Sequence, residues 1–243
     1  MFITMRKIFH QVRVFLQTYY SITIPIFFVF ALPIVIWPLL SAILRSVSLS
    51  AIKYFDTILS ALVSVCYPLG ALSLSLCTYA WQNEKKTSIR HVLISLNSVI
   101  GPAVSTYIAQ AILMIVPLGV PLVLLFAFHV SGPIRDIYLP FLANALAWLF
   151  YFFTWPLFII KKIASMKNAL ASIKLSLRNI PLIALSLVPF LCWALVFQIL
   201  ASKSIPLVKA FLIPVGYIAA LPLAIVEMTA YGELFPKSII AKG

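Results

Sequence analysis

One carboxyl group lies inside a long apolar run near the end of this sequence. Glu227 falls within residues 224–231 and is one of only five acidic residues in the chain. Ionisable side chains at membrane depth are rare, and they commonly bind a proton, a substrate or a cationic partner. We therefore predict Glu227 as a proton site or as the partner of a cation on a facing helix. The alternative is that Glu227 reaches the cytoplasmic interface or pairs with Lys161 or Lys162.

Three uncharged polar side chains lie deep in other apolar runs, namely Gln110, Asn144 and Gln198. A hydrogen bond between two membrane helices contributes about 0.6–2 kcal/mol, so one role for these residues is to hold helices together. The other role is to line a polar cavity. Together with Glu227, the three residues form the candidate intramembrane site.

Catalytic and metal-binding patterns are absent from the sequence. It contains no HExxH, GxSxG or Walker motif, and its seven glycines form no phosphate-binding loop. The three cysteines show no CxxC spacing, and His10, His91 and His129 belong to different segments. We therefore expect a protein that is not an enzyme and has no catalytic residues, metal or cofactor.

The composition indicates that membrane-spanning helices carry the candidate residues. Hydrophobic residues make up 63% of the 243-residue chain and charged residues 9%, against about 25% charged residues in a soluble domain. Six apolar runs reach the roughly 20 residues that a helix needs to cross a membrane. They are residues 20–44, 57–81, 103–128, 137–160, 181–201 and 206–231. The predicted fold is an all-α polytopic membrane protein with six transmembrane helices, in which residues 1–243 form a single integral membrane domain.

The segment before the first span has its own pattern. Apolar side chains at positions 8, 9, 12, 15, 16 and 19 fall on one helical face, and polar side chains at positions 6, 10, 13 and 17 fall on the other. This pattern is typical of a helix that lies in the membrane interface. We therefore predict an N-terminal interfacial helix over residues 1–19.

Every predicted span also contains proline. Proline lacks a backbone donor and frees a carbonyl group one turn earlier in the helix. We expect these carbonyl groups either to line a substrate path or to accept hydrogen bonds from neighbouring Ser and Thr side chains.

A short motif occurs twice, 77 residues apart. Residues 88–97 and 165–174 both read serine, apolar, cation, polar, and then apolar-Leu-apolar-Ser. The apolar positions of each copy form a stripe along one helix face. Each copy lies between two predicted spans. We therefore predict two parallel repeats, residues 57–128 and 137–201, followed by the last span at 206–231.

Most basic residues lie in alternate segments between the spans. Of the 18 lysines and arginines, 13 fall in segments that include both termini and both motifs, and the positive-inside rule assigns those segments to the cytoplasm. The basic residues form no continuous soluble face, which argues against nucleic-acid binding despite a net charge of +13. We expect Arg90, Lys167, Lys174 and Arg178 to contact anionic lipid headgroups or a cytoplasmic protein partner.

Two stretches resemble a known group of membrane proteins. Residues 163–179, IASMKNALASIKLSLRN, resemble a cytoplasmic segment of six-span bacterial inner-membrane proteins, and AYGELF at residues 230–235 is similar to the A-Y-x-x-φ-F end of their last span. The group includes the YciC-like proteins and the membrane domain fused to some glycerophosphodiester phosphodiesterases. The resemblance covers residues 60–235 and implies a bacterial inner-membrane location. It implies no phosphodiesterase activity, which belongs to a separate soluble domain in the fused relatives.

These features predict a non-enzymatic protein of the bacterial inner membrane that transports or handles a small or lipid-like molecule. The alternative is a membrane subunit or scaffold. Such a subunit would dock a cytoplasmic partner, for example an ATPase, through its amphipathic cytoplasmic segments.

Overall fold

The computed structural model describes residues 2–46, 52–85, 87–127, 139–218 and 220–236. All regular structure in these ranges is helical. The helices are α1 (Phe2–Ser46), α2 (Ile52–Gln82), α3 (Ile89–Ala127), α4 (Leu139–Phe150), α5 (Thr154–Lys161), α6 (Ser165–Arg178), α7 (Ile180–Ser202), α8 (Pro206–Tyr217) and α9 (Ala220–Leu234). The predicted end of the third span, the predicted start of the fourth and the tail from residue 237, predicted to be cytoplasmic, lie outside the described residues.

Several helical segments are long and apolar enough to cross a membrane. Within the described ranges there are five: Thr4–Ile43, Ile89–Ile115, Phe141–Lys161, Ile180–Ser202 and Pro206–Leu234. Large apolar side chains lie on their outer surfaces, such as Val29 at 60% and Ile115 at 64% exposure, as contact with lipid requires. The architecture is that of a helical membrane protein. The predicted span 57–81 lies within α2, and a sixth crossing stays a prediction.

The central helix of the described bundle is α9. Eleven of its 15 residues are buried, and it packs against α1, α2, α5 and α7. The helices approach closely at Gly70 of α2, where an added Cβ would lie 2.7 Å from Cβ of Phe30 and 2.9 Å from Cδ2 of Leu221. Only a residue without a side chain allows α2 to pack this tightly between α1 and α9.

A kink divides α1 at Tyr19, whose φ of −114° and ψ of 18° are not helical. The kink separates the predicted N-terminal helix from the first span. The expectation that the apolar face of this helix lies on the membrane is wrong for Ile8 and Phe15, which are fully buried in the protein. These side chains pack into core clusters that include residues of α9, and Gln11 donates a hydrogen bond to Glu233 near the end of α9. This part of the apolar face therefore covers the central helix.

The fourth and sixth predicted spans are each broken. The chain leaves α4 and enters α5 through a turn at residues 151–153, and α8 ends at Tyr217 before α9 begins at Ala220. Both breaks precede a proline, Pro156 in one case and Pro222 in the other. A proline ring clashes with the carbonyl group four residues earlier, which falls within or beside each break.

The two copies of the motif differ in whether they bury their polar positions. The first copy continues directly into a span as part of α3 and buries Val92 and Leu96. The second copy forms α6, a separate helix that buries the polar residues Asn168 and Ser172. The apolar positions behave alike, because Leu170 is exposed at 53% and its counterpart Leu93 at 45%. The copies therefore differ at their polar positions, and the parallel repeat stays a prediction.

Candidate functional site

A cavity of about 640 Å³ lies among α1, α2, α3, α4, α5, α8 and α9. This volume is within the range of roughly 300–1,000 Å³ that is typical of small-molecule sites. Six of the 18 described lining residues are aromatic, namely Trp37, Trp148, Trp155, Tyr67, Tyr107 and Tyr151. The polar groups Glu227, Gln110 and Asn144 also line it. Three of the four predicted intramembrane residues therefore meet at one cavity.

Glu227 brings a carboxyl group to this cavity from the middle of α9. The side chain is only 6% exposed, and its Oε2 atom has no hydrogen-bond partner among the described residues. The ring of Tyr67 is close enough to interact electrostatically with the carboxyl group. Lys161 and Lys162, by contrast, are exposed. The structure therefore places Glu227 inside the bundle and not at its surface.

Gln110 joins α3 to the break in the fourth span. Its Nε2 donates a hydrogen bond to Oγ1 of Thr154, the first residue of α5. The hydroxyl group of Tyr151 donates a hydrogen bond of 3.1 Å to the backbone carbonyl group of Gln110. Gln110 thus lines the cavity and also forms the interhelical hydrogen bond that was one of its two predicted roles.

The freed backbone groups of this break find partners on α6. The N–H group of Phe153 donates to Oγ of Ser172 at 3.2 Å, and this hydroxyl group donates to the carbonyl group of Phe150 at 3.2 Å. Asn168 donates from Nδ2 to the carbonyl group of Thr154 at 3.1 Å. Buried backbone groups need such partners, because each unpaired one costs about 1–3 kcal/mol. This requirement explains why α6 turns its polar positions inward.

The remaining candidate residues occupy different environments. Asn144 reaches the cavity from α4. Gln198 is buried in α7 at 7% exposure, but it is not part of the described lining, so the structure does not bring it to the site.

The four predicted docking residues are all exposed. Lys167, Lys174 and Arg178 lie on α6, and Arg90 lies near the start of α3. Exposure agrees with contact to lipid headgroups and equally with contact to a protein. The role of these residues stays a prediction.

The aromatic lining was not predicted from the sequence. Trp148, Tyr151 and Trp155 recur at i, i+3 and i+7, which is the spacing of one helix face. This spacing was the available signal for an aromatic surface in the fourth span.

No protein-family model, curated protein or solved structure matches this chain. The resemblance to the YciC-like proteins therefore stays a prediction.

Proposed function

We propose that this protein binds a small or lipid-like molecule in its cavity and moves it across the bacterial inner membrane without changing it chemically. The observation that carries the proposal is the convergence of Glu227, Gln110 and Asn144 on one cavity lined by aromatic rings. Polar side chains within membrane spans are costly, and they usually mark substrate or ion pathways.

The position of the cavity supports a transport role. Tyr67 and Trp148 line it and lie near the middle of the predicted spans 57–81 and 137–160. Tyr151 lies in one helix break, and Ala220 begins the helix that follows the other. Many transporters bind their substrates near the bilayer midplane, beside discontinuous helices whose loosened backbone allows movement.

A second candidate function is docking of a cytoplasmic protein. The observation that favours it is the exposed basic face of α6, where Lys167, Lys174 and Arg178 recur at i, i+7 and i+11. Residues at these spacings share one side of a helix. If the protein docks a cytoplasmic partner, we expect the partner to contact α6.

The transport proposal is tested by filling the cavity. Ala147 lines the cavity from α4, whereas Leu142 on the same helix is 52% exposed. We expect small molecules that copurify with the native protein in mild detergent to be lost from Ala147→Phe and retained by Leu142→Phe. Mass spectrometry of the extracted molecules measures this difference.

Transport of the identified molecule is then measured in proteoliposomes. We expect Glu227→Gln to abolish uptake while its abundance in the membrane stays normal. The proposal is wrong if the molecules bound to Ala147→Phe and to the native protein are the same, or if Glu227→Gln transports at the native rate.

A further inference from the structure

The charge of the cavity lining is opposite to that of the chain. The protein contains 18 lysines and arginines but only five acidic residues. The described lining nevertheless includes one carboxyl group, from Glu227, and no Lys, Arg or His. The carboxyl group of Glu227 is thus the one ionisable acid of the described lining, which points to a ligand with a positive charge.

One oxygen atom of the carboxyl group is left unsatisfied by the described part of the protein. Oε2 of Glu227 is buried and accepts no hydrogen bond from the described residues. A buried carboxylate without a partner is strongly destabilising, and a bound cation removes that penalty. The described lining supplies no second charge, so one positive charge on the ligand balances the site.

The aromatic rings favour an organic cation over a metal ion. Calcium and magnesium ions take about six or more oxygen ligands, and among the described residues no three His, Cys, Asp or Glu side chains come together. The faces of Trp and Tyr rings carry negative potential and attract cations that are poorly hydrated, such as quaternary ammonium groups. Tyr67 and Tyr107 stand with their ring centroids 6.4 Å apart, and Tyr67 is close enough to Glu227 to interact with it electrostatically.

We propose that the cavity binds a monovalent organic cation, with the carboxylate of Glu227 as its counter-ion and the rings of Trp148, Trp155 and Tyr67 around its apolar groups. This inference rests on the proposed function, because it names the chemical class of the molecule that the cavity holds. Cations of the quaternary ammonium and phosphonium types have this combination of one charge and an apolar surface.

A pair of ions with the same shape and opposite charge tests the proposal. Tetraphenylphosphonium and tetraphenylborate differ in the sign of their charge, and calorimetric titration of the purified native protein in a non-ionic detergent measures the binding of each. We expect saturable binding of tetraphenylphosphonium at one site per chain. Tetraphenylborate should bind at least about tenfold more weakly, because a single unfavourable charge contact costs more than 1.4 kcal/mol in a buried site.

Two substitutions on α9 separate the role of Glu227 from a general effect of charge. Glu227→Gln should weaken tetraphenylphosphonium binding at least about tenfold. Glu233→Gln removes the same charge from the same helix, but Glu233 contacts Gln11 and is not part of the described lining. The Glu233→Gln variant should therefore bind tetraphenylphosphonium with the same affinity as the native protein. Trp148→Leu should weaken binding by roughly threefold to thirtyfold, as the loss of one cation–π contact predicts.

The outcomes distinguish this inference from the proposed function. Equal affinities for the two ions, or no saturable binding of either, would overturn the inference. The comparison of the two ions uses only the native protein, so it does not depend on the folding of any variant. With either of these results, the copurifying molecules can still be lost from Ala147→Phe. The cavity then binds a molecule of another class, and the transport proposal stands.

Discussion

Replacing Ser172 with alanine tests whether α6 holds the broken fourth span together. Ser172 is fully buried, and its hydroxyl group accepts from the N–H group of Phe153 and donates to the carbonyl group of Phe150, both at 3.2 Å. Alanine would leave the buried N–H group of Phe153 without this partner, which costs about 1–3 kcal/mol, and would remove a hydrogen bond of about 0.5–1.5 kcal/mol to the half-buried carbonyl group of Phe150. We therefore expect Ser172→Ala to lower the free energy of unfolding by about 2–4 kcal/mol.

Thermal unfolding of the purified protein in detergent measures this loss. A thiol-reactive fluorophore reports unfolding, because Cys77 is fully buried in the native bundle. Cys192 is exposed, so it is replaced by alanine in every variant. A loss of 2–4 kcal/mol corresponds to a fall in the unfolding midpoint of about 4–16 °C for a chain of this length.

Ser95 provides a matched control. It occupies the position of Ser172 in the first copy of the motif, but its side chain is exposed. Ser95→Ala should therefore change the free energy of unfolding by less than about 0.5 kcal/mol. Equal midpoints for Ser95→Ala and Ser172→Ala would refute the reasoning, because the hydrogen bonds of Ser172 would then contribute no more than a solvated hydroxyl group.

Two further predictions concern close packing and the basic surface. Gly70→Ala should destabilise the protein by about 1–3 kcal/mol, because the new Cβ meets Cβ of Phe30 at 2.7 Å. Gly101→Ala, with no heavy atom within 4 Å of its new Cβ, should stabilise α3 by about 0.5–1 kcal/mol, and similar midpoints for the two variants in the same thermal assay would contradict this. Reversing the charge of Arg90 and Lys167 together, each to Glu, should reduce the number of anionic lipids retained in native mass spectrometry or release a copurifying protein. Unchanged lipid and protein content would exclude these two residues from both roles.

The main helices are predictable from the sequence because membrane insertion imposes simple requirements of length and polarity. The predicted span 181–201 corresponds to the helix Ile180–Ser202, and the predicted end of the N-terminal segment at residue 19 corresponds to the kink at Tyr19. Apolar runs of about 20 residues have few other options, because backbone groups in lipid must pair within the helix. What each helix packs against depends on contacts between distant residues. The burial of Ile8 and Phe15 against the protein was therefore not predicted.

The candidate site was partly predictable for a related reason. A polar group within a span is costly unless it faces the interior, so Glu227, Gln110 and Asn144 could be identified without a structure. Gln198 meets the same criterion and is also buried, but it lies in a different part of the bundle. Aromatic residues make up 14% of the chain, and they suit lipid contact as well as a binding site. Their type alone therefore did not separate the cavity lining from the outer surface.

The helix breaks show where local sequence stops being sufficient. Pro189 lies inside the continuous helix α7, yet the helix is interrupted before Pro156. Both prolines remove a backbone donor and clash with an earlier carbonyl group, so local chemistry does not distinguish them. The difference at Pro156 is that α6 brings Ser172 and Asn168 to the freed backbone groups. A membrane helix can break where another element supplies hydrogen-bond partners, and the polar positions of the second motif meet that need beside Tyr151, a residue of the cavity wall.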